Sequence, residues 1–408
     1  MLYFTTDKEN CTGCTACKTI CPTQCISMKR DEEGFLYPCA DTSKCIHCGA
    51  CESVCPILKK GSDTAEGRTN QLAAAAICKN QNDWEQSASG GAFKSICDGF
   101  AEMNSGRLVK VYGAAFNQLY VEHKGKEYPE IREFHKSKYV QSDLKNCFSE
   151  IKQDIIEGKA VVFSGTPCQV AGLKCLLKKD YENLLCIDLI CHGVGSPTVF
   201  SDYLSEKEKQ TGKKIISYTF RTKKKKWGNY ERHRSIVEYF DGSVEAEVED
   251  PYNRLFLNQL CLRDCCGENC HFRNLERWGD LTIADFNNFI RSFPDQKDNR
   301  GRSTIVVNTE KGRSVYERLP EFMTLLPCSL DNIARNNPLL VRSTSGNPDR
   351  ESFFADYEKG ESVIELSDKY APKRREPISI WIKKHIPFEV KYKAYKIVRK
   401  LNGVGGKK

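Results

Sequence analysis

Ten of the chain's 22 cysteines lie before residue 60, and eight of them form a repeat: Cys11, Cys14, Cys17 and Cys21 recur after a shift of 34 at Cys45, Cys48, Cys51 and Cys55. Pro22 and Pro56 keep the same shift, so each copy spells C-x2-C-x2-C-x3-C-P. Three soft thiolates from one curled loop and a fourth from a distance suit a compact iron-sulfur core. In such a run the fourth cysteine ligates the other cluster. One 4Fe-4S cluster is therefore assigned to Cys11, Cys14, Cys17 and Cys55, and the other to Cys45, Cys48, Cys51 and Cys21. Paired zinc sites, the competing chemistry, show CxxC pairs rather than four-cysteine runs ending in proline. Cys25 and Cys39 are left over and read as buried small hydrophobes.

A second group, Cys261, Cys265, Cys266 and Cys270, packs four cysteines into ten residues, which calls for a metal. Its spacing fails the C-x3-C-x2-C of radical enzymes, because Glu268 stands where the third cysteine would be. Zinc is one reading. A third iron-sulfur cluster, completed by Cys168 or Cys191, is the preferred one.

The elements that must carry these residues are legible by periodicity. Leu72–Ile77 predicts a strand, and Ser87-Ala88-Ser89-Gly90-Gly91-Ala92 leads into a helix with Phe93, Ile96, Cys97 and Phe100 on one face. Small residues there would let a phosphate or pyrophosphate approach free backbone N–H groups, or would simply cap the helix. Ala160–Phe163 predicts a buried strand, Ser164-Gly165-Thr166-Pro167 a turn, Cys168–Leu177 a helix and Leu184–Ile190 the next strand. Such a unit is the mark of α/β architecture. Cys168 and Cys191 follow strand ends, where α/β folds place ligands, and a helix N-terminus would favour the Cys168 thiolate. Buried inert cysteine is the alternative for both.

A length of 408 residues predicts two or three domains. With 40% hydrophobic and 28% charged residues, the composition is that of a soluble globular chain. Met1–Asn10 shows no secretory pattern, and no run of about 18 apolar residues occurs, so a cytoplasmic protein with ligand or redox cysteines is expected rather than a disulfide scaffold. The formal charge of +8 is uneven: residues 373–408 carry 12 Lys and Arg against Glu376 and Glu389, so the rest is nearly neutral. That tail, with Trp381, Phe388, Tyr392, Tyr395, Ile397, Val398 and Leu401, patterns as a basic amphipathic helix. It would make a peripheral contact with an anionic membrane surface or acidic partner, or pack its aromatic face on the body. Lys223–Lys226 reads as a basic loop, and no nucleic-acid partner is expected. Lys59–Asn70 has the composition of a linker.

Residues 1–60 resemble the bacterial two-cluster ferredoxins, which implies low-potential one-electron transfer. Beyond them, Ser89-Gly90-Gly91-Ala92-Phe93, Ser137-Lys138-Tyr139-Val140-Gln141-Ser142, Gly165-Thr166-Pro167-Cys168-Gln169 with Gly172-Leu173, Asp188-Leu189-Ile190-Cys191-His192-Gly193, Phe220-Arg221 with Lys223, and Asp280-Leu281-Thr282-Ile283-Ala284-Asp285-Phe286 occur in one order. This order resembles the beta subunit of coenzyme F-420 hydrogenase/dehydrogenase over residues 72–345. The resemblance implies an α+β ferredoxin-like two-cluster module (1–60), a linker (61–71), an α/β flavin-binding domain (72–345) and a basic extension (346–408). It further implies FAD and a third cluster on Cys168, Cys261, Cys266 and Cys270, with Cys191 as the substitute ligand. Two departures stand out: an extra residue between Cys266 and Cys270, and Asp285-Phe286-Asn287 where the family has an Asp-aromatic-Trp-Gly ending.

The resulting expectation is an iron-sulfur flavoprotein oxidoreductase that exchanges electrons between a soluble ferredoxin or similar redox protein and a small organic acceptor. By resemblance and position, Ser89, Gly90 and Gly91 would meet the flavin phosphates, Lys138 or Arg221 would offset charge there or on a reduced flavin, and His192 would be a proton donor, which makes His192 and Lys138 the catalytic candidates. Two alternatives remain: a non-catalytic electron-transfer adaptor, and a deazaflavin-coenzyme-dependent dehydrogenase subunit.

Overall fold

The computed structural model describes residues 8–59, 71–226, 229–231, 234–268, 270–373 and 386–401. A small N-terminal module pairs strands β1 (Ile26–Arg30) and β2 (Leu36–Ala40) as an antiparallel hairpin between two short helices, α1 (Ala16–Ile20) and α2 (Ala50–Ser53). The sequence repeat is also a backbone repeat. Gly13 and Thr15 have φ of 67° and 63°, and His47 and Gly49, one repeat later, have φ of 53° and 69°. Such alternating left-handed residues curl a loop around its interior and turn amides inward. Two of them, Thr15 and His47, carry side chains that make this conformation costly.

The body is built on β3 (Ala73–Cys78), β4 (Val109–Asn117), β5 (Tyr120–Glu127), β6 (Ala160–Ser164) and β7 (Leu184–Leu189). Five further strands, β8 (Ile215–Thr219), β9 (Lys224–Lys226), β10 (Asn229–Glu231), β11 (Arg234–Tyr239) and β12 (Val244–Val248), form two small sheets. The chain then returns through β13 (Leu281–Asp285), β14 (Ser303–Val307) and β15 (Met323–Pro327), completing an eight-stranded mixed sheet in the order β15-β3-β14-β13-β7-β6-β4-β5. Strands β4, β6, β7 and β13 run parallel, so their carboxyl ends share one sheet edge.

The sequence explains the layers. Every residue of β3 and β14 is buried, as both-face coverage requires. Helix α3 (Gln81–Gln86) follows β3, and α4 (Ala92–Met103) places Ile96 and Phe100 against Val111, Val162 and Leu185. On the other side, α5 (Cys147–Ile156) and α6 (Pro167–Leu177) bury Phe148, Ile151 and Leu173 together with Ala16 and Val54 of the N-terminal module. Helices α7 (Pro197–Thr211) and α8 (Pro251–Leu257) pack with the β8–β11–β12 sheet and take in Phe35 of the module. Module and body thus share cores, each fully buried large side chain contributing roughly 1.5–3 kcal/mol.

The segment predicted as a linker lies outside the described residues apart from Lys59 and Gln71. Of the tail, 374–385 and 402–408 lie outside them too, including Trp381. Phe388–Leu401 is a helix, tied to the body by Tyr392 Oη donating to the Pro294 carbonyl (3.0 Å) and by Lys396 with Asp295 (2.5 Å). Its aliphatic side chains face elsewhere: Val390, Ile397 and Val398 are exposed. Among the described residues no helix is long and apolar enough to cross a membrane.

Candidate functional site

In the N-terminal module, Cys11, Cys14, Cys17 and Cys55 line one cavity with Met28, Pro38, Ile57 and Leu58. Burial, with the neighbouring Cys11 and Cys55 thiolates, pushes the Cys14 thiol up to about 12. Cys17 is raised for the same reasons. Thiols so placed stay protonated unless a positive centre takes them as ligands. Cys21, Cys45 and Cys51 pack around Ile26 with the extra Cys25, whose sulfur lies 3.4 Å from that of Cys21. Cys48, the remaining member of the expected second set, is exposed, and Cys39 is half-buried. Among the described residues no three His, Cys, Asp or Glu side chains converge as a single ion requires. A cluster differs from an ion in holding its thiolates apart around an inorganic core.

The second thiol group is assembled at the carboxyl edge of the large sheet. After β6, Thr166 and Gln169 form a capping box, Pro167 opens α6, and the Cys168 sulfur lies 3.1 Å from the Thr166 hydroxyl. Cys191 follows the adjacent β7 by two residues. The 261–270 segment crosses this edge through a bridge between Gly195 and Leu262 and a short 3-10 turn at Asp264–Cys266. Gly193, with φ +128°, lies so close to it that a Cβ would stand 2.7 Å from Leu262 and 3.1 Å from the Cys266 Cβ.

The thiols brought together are Cys168, Cys191, Cys266 and Cys270. Burial raises Cys168 strongly and Cys191 to about 12, and in each case the thiolates of Cys266 and Cys270 add repulsion. Cys270 is raised by burial and by Cys266. Cys266 goes the other way, lowered to about 7 by a hydrogen bond from Cys265, the Val194 amide and the charges of Arg273 and Arg263. Cys261, by contrast, turns to the Tyr252 hydroxyl and the backbone of Ser196. Of the set implied by resemblance, Cys168, Cys266 and Cys270 are close enough to act on one another's charge, the substitute Cys191 acts on the same thiols, and Cys261 faces Tyr252 and the Ser196 backbone instead.

Buried arginines surround this group, and the cysteine pattern gave no sign of their role. Arg273 donates to the carbonyls of His192 (2.7 Å) and Gly267 (3.2 Å). Arg277 is held by Asp188 (2.8 Å) at the end of β7. Arg263 donates to the carbonyl of Cys11 (2.8 Å) and so reaches the N-terminal module. There Gly172, one helical turn after Cys168, lies where a Cβ would meet the Cys14 sulfur at 2.8 Å. Four residues of helix rise about 6 Å, so α6 carries Cys168 and the position packed on Cys14 roughly one turn apart.

The other predicted residues lie around the same edge with their polar atoms engaged. Ser89 donates to the Arg302 carbonyl (2.6 Å), and the Gly90 amide to the Ser303 hydroxyl (2.9 Å). A Cβ on Gly90 would stand 2.2 Å from the Ala76 carbonyl, so this glycine serves contact with the sheet itself. Gly91, with φ +89°, caps α4. Arg221 pairs with Asp285 (2.7 Å) and with the Tyr139 hydroxyl. His192 Nε2 lies 3.3 Å from the Phe256 carbonyl, and burial lowers its pKa. Lys138 donates to the carbonyls of Glu133 (2.8 Å), His135 (2.8 Å) and Lys136 (3.4 Å). Burial pulls its ammonium down to about 7, a value suited to proton transfer, yet these three acceptors aim it at the loop. Lys138→Met orphans them, and an unfolding midpoint reporting a loss of at least about 2 kcal/mol is expected. An unchanged midpoint would show the ammonium holds no structure.

Two further side chains keep nitrogens without a hydrogen bond, although the Arg302 guanidinium pairs through Nη2 with Asp298 (2.9 Å) and lies 4.2 Å from the Phe289 ring centroid. Both ring nitrogens of His135 lack a hydrogen bond, and the ring packs edge-on 6.1 Å from Phe93 in the first turn of α4. Nε and Nη1 of the buried Arg302 are likewise unbonded. Neither was signalled in the sequence, since no motif contains them.

Residues 10–57 match the 4Fe-4S dicluster domain model. Residues 158–325, from just before β6 to β15, match the model for the C terminus of the coenzyme F420 hydrogenase/dehydrogenase beta subunit, and this span holds all the thiols at the sheet edge. Among solved structures, a chain from a xenon-derivatised F420-reducing [NiFe] hydrogenase complex of Methanosarcina barkeri is similar at 13% identity, with 73% of this chain and 89% of that chain covered and a TM-score of 0.43. No curated protein matches. Two stretches of the chain thus match, in order, a 4Fe-4S dicluster domain and the C terminus of the coenzyme F420 hydrogenase/dehydrogenase beta subunit, in line with the resemblance that the motifs after residue 158 implied.

Proposed function

We propose that the protein is an iron-sulfur flavoprotein oxidoreductase carrying electrons between an external low-potential carrier and a two-electron organic acceptor. The observation that carries this reading is one sheet edge holding the Cys168, Cys191, Cys266 and Cys270 thiols a helical turn from the Cys11 to Cys55 cavity. In this reading Cys11, Cys14, Cys17 and Cys55, and Cys45, Cys48, Cys51 and Cys21, would hold two clusters and the sheet-edge thiols a third, so that electrons would enter at the exposed Cys48 loop and leave across α6.

The residues fit a flavin at the same edge. One unbonded ring nitrogen of the neutral His135 is a donor left for an anion, and the first-turn amides of α4 lack intrahelical acceptors. Lys94, Arg132 and Lys138 make the surroundings of His135 positive and, with burial, hold it neutral, near 4. These groups would hold the pyrophosphate, and Ser89, Gly90 and Gly91 would shape the loop beside it. Bound there, FAD would collect two electrons singly from the clusters and, with a proton from solvent, supply a hydride to the acceptor. Arg221, fixed by Asp285, supplies positive charge at the neighbouring end of β13.

Anaerobic mixing with reduced methyl viologen tests the route. Cluster absorbance is expected to bleach first and flavin absorbance to follow, two electrons per flavin. Flavin reduction at an unchanged rate in protein stripped of iron would overturn it. The adaptor reading predicts cluster bleaching without bound flavin.

A further inference from the structure

The two thiol groups are linked by one cation. Arg263 is 1% exposed, and its guanidinium donates from Nε to the Cys11 carbonyl (2.8 Å), from Nη1 to Gln141 (2.9 Å) and from Nη2 to the Leu36 carbonyl (3.1 Å), with Nη2 3.9 Å from the Cys11 sulfur. It lies over the ring of Tyr37, 4.0 Å from the centroid. A Cβ on Gly13, in the Cys11–Cys14 loop, would stand 3.0 Å from its Nη1, so the glycine is what lets it in. Among the described residues no carboxylate pairs with it. Every acceptor it has is neutral, save a thiol that becomes negative on ligating iron. A guanidinium buried without a counter-charge is costly, and side chains of this kind persist where a negative group completes them.

We infer that Arg263 is a positioning residue whose charge is completed by the cluster on Cys11, Cys14, Cys17 and Cys55 and raises that cluster's reduction potential above that of its partner on Cys21, Cys45, Cys48 and Cys51. The inference extends the proposed route. Adding an electron makes a cluster more negative, so a fixed positive charge beside it favours the reduced state. At the second set Cys48 and Ile46 are exposed to water, where screening is strong. An electron received at the exposed end therefore runs inward, toward α6 and the sheet-edge thiols. Arg263 itself stands two residues before Cys265, in the segment that supplies Cys266.

The test is a redox titration of the anaerobic holoprotein followed by EPR, comparing the native chain with R263Q, R263K and Q141E. R263Q is expected to shift one cluster's equilibrium with the reductant at least tenfold toward the oxidised form, which for one electron is about 59 mV. R263K, keeping the charge, is expected to restore most of the shift. Q141E keeps the arginine and sets a carboxylate against it, so it is expected to lower the same potential and decides the matter if R263Q does not fold. Unchanged potentials in Q141E and in any folded R263Q overturn the inference, as does an equal shift of all clusters. Absence of a third cluster from the native protein would contradict the route and leave the shift of the Cys11 cluster measurable.

Discussion

Cys191→Ser is expected to cut bound iron from about twelve to about eight atoms per chain, while Cys261→Ser leaves iron content unchanged. Serine offers a hard oxygen in place of a soft thiolate, so a cluster that loses one ligand at a buried site is lost or reduced to a fragment. The contrast between the two variants is sharp because both cysteines sit near the same loop and only one faces the others. Cys191 is coupled to Cys266 and Cys270, whereas the surroundings of Cys261 are Tyr252, the Ser196 backbone and Arg350. Cys191 is a cleaner target than Cys266, whose neighbour Cys265 is in contact with it and can replace it. Electron delivery to an organic acceptor should fall to background in Cys191→Ser, with the N-terminal clusters still reducible. If zinc rather than iron leaves with Cys191, the site is a zinc site and the route through it fails.

Asp188→Ala is expected to cost about 3–5 kcal/mol and to lower the thermal midpoint of the anaerobic protein by roughly 10 °C. Asp188 is fully buried and accepts from Arg277 (2.8 Å), the Gly279 amide (3.0 Å) and the Thr282 hydroxyl (2.6 Å). Arg277, 3% exposed, also donates to the Leu189 carbonyl (2.5 Å) and the Phe272 carbonyl (3.2 Å). Truncating the aspartate leaves an uncompensated guanidinium in the core, whereas removing both partners at once removes the orphan. Arg277→Met with Asp188→Leu should therefore cost less than the two single losses added together. The pair also pins the segment after Cys270 to the strand before Cys191, so the single variants should lose sheet-edge iron before the N-terminal clusters. A midpoint within 2 °C of the native one in Asp188→Ala would show that the pair is not what joins β7 to β13.

The parts of this molecule that were legible in the sequence are those set by local spacing. The shift of 34 exposes the N-terminal thiol sets because a ligand loop is one curled segment, and the structure repeats even its left-handed residues at Gly13 and His47, and at Thr15 and Gly49. The unit from Ala160 to Leu189 was legible from two apolar runs and a proline at the first helical position. Choosing between Cys191 and Cys261 was not, because it depends on which way two side chains turn around a loop folded over the sheet edge. The glycines at 90 and 91 correctly announced a close approach, but for Gly90 the approaching group is the protein's own β3 and β14 backbone. Arg263 could not be found from spacing at all, since its principal acceptor is 252 positions away. The tail's apolar residues suggested one face, and the helix divides them between the body-facing Tyr392 and the exposed Val390, Ile397 and Val398.

The most direct test of the account is the flavin content of anaerobically purified protein, measured by extraction and chromatography against the protein concentration. About one FAD per chain is predicted, since the proposed route needs one group that takes electrons singly and hands them on in pairs. Protein that keeps its iron, contains no flavin and does not bind added FAD would contradict the proposal and leave an electron adaptor in its place.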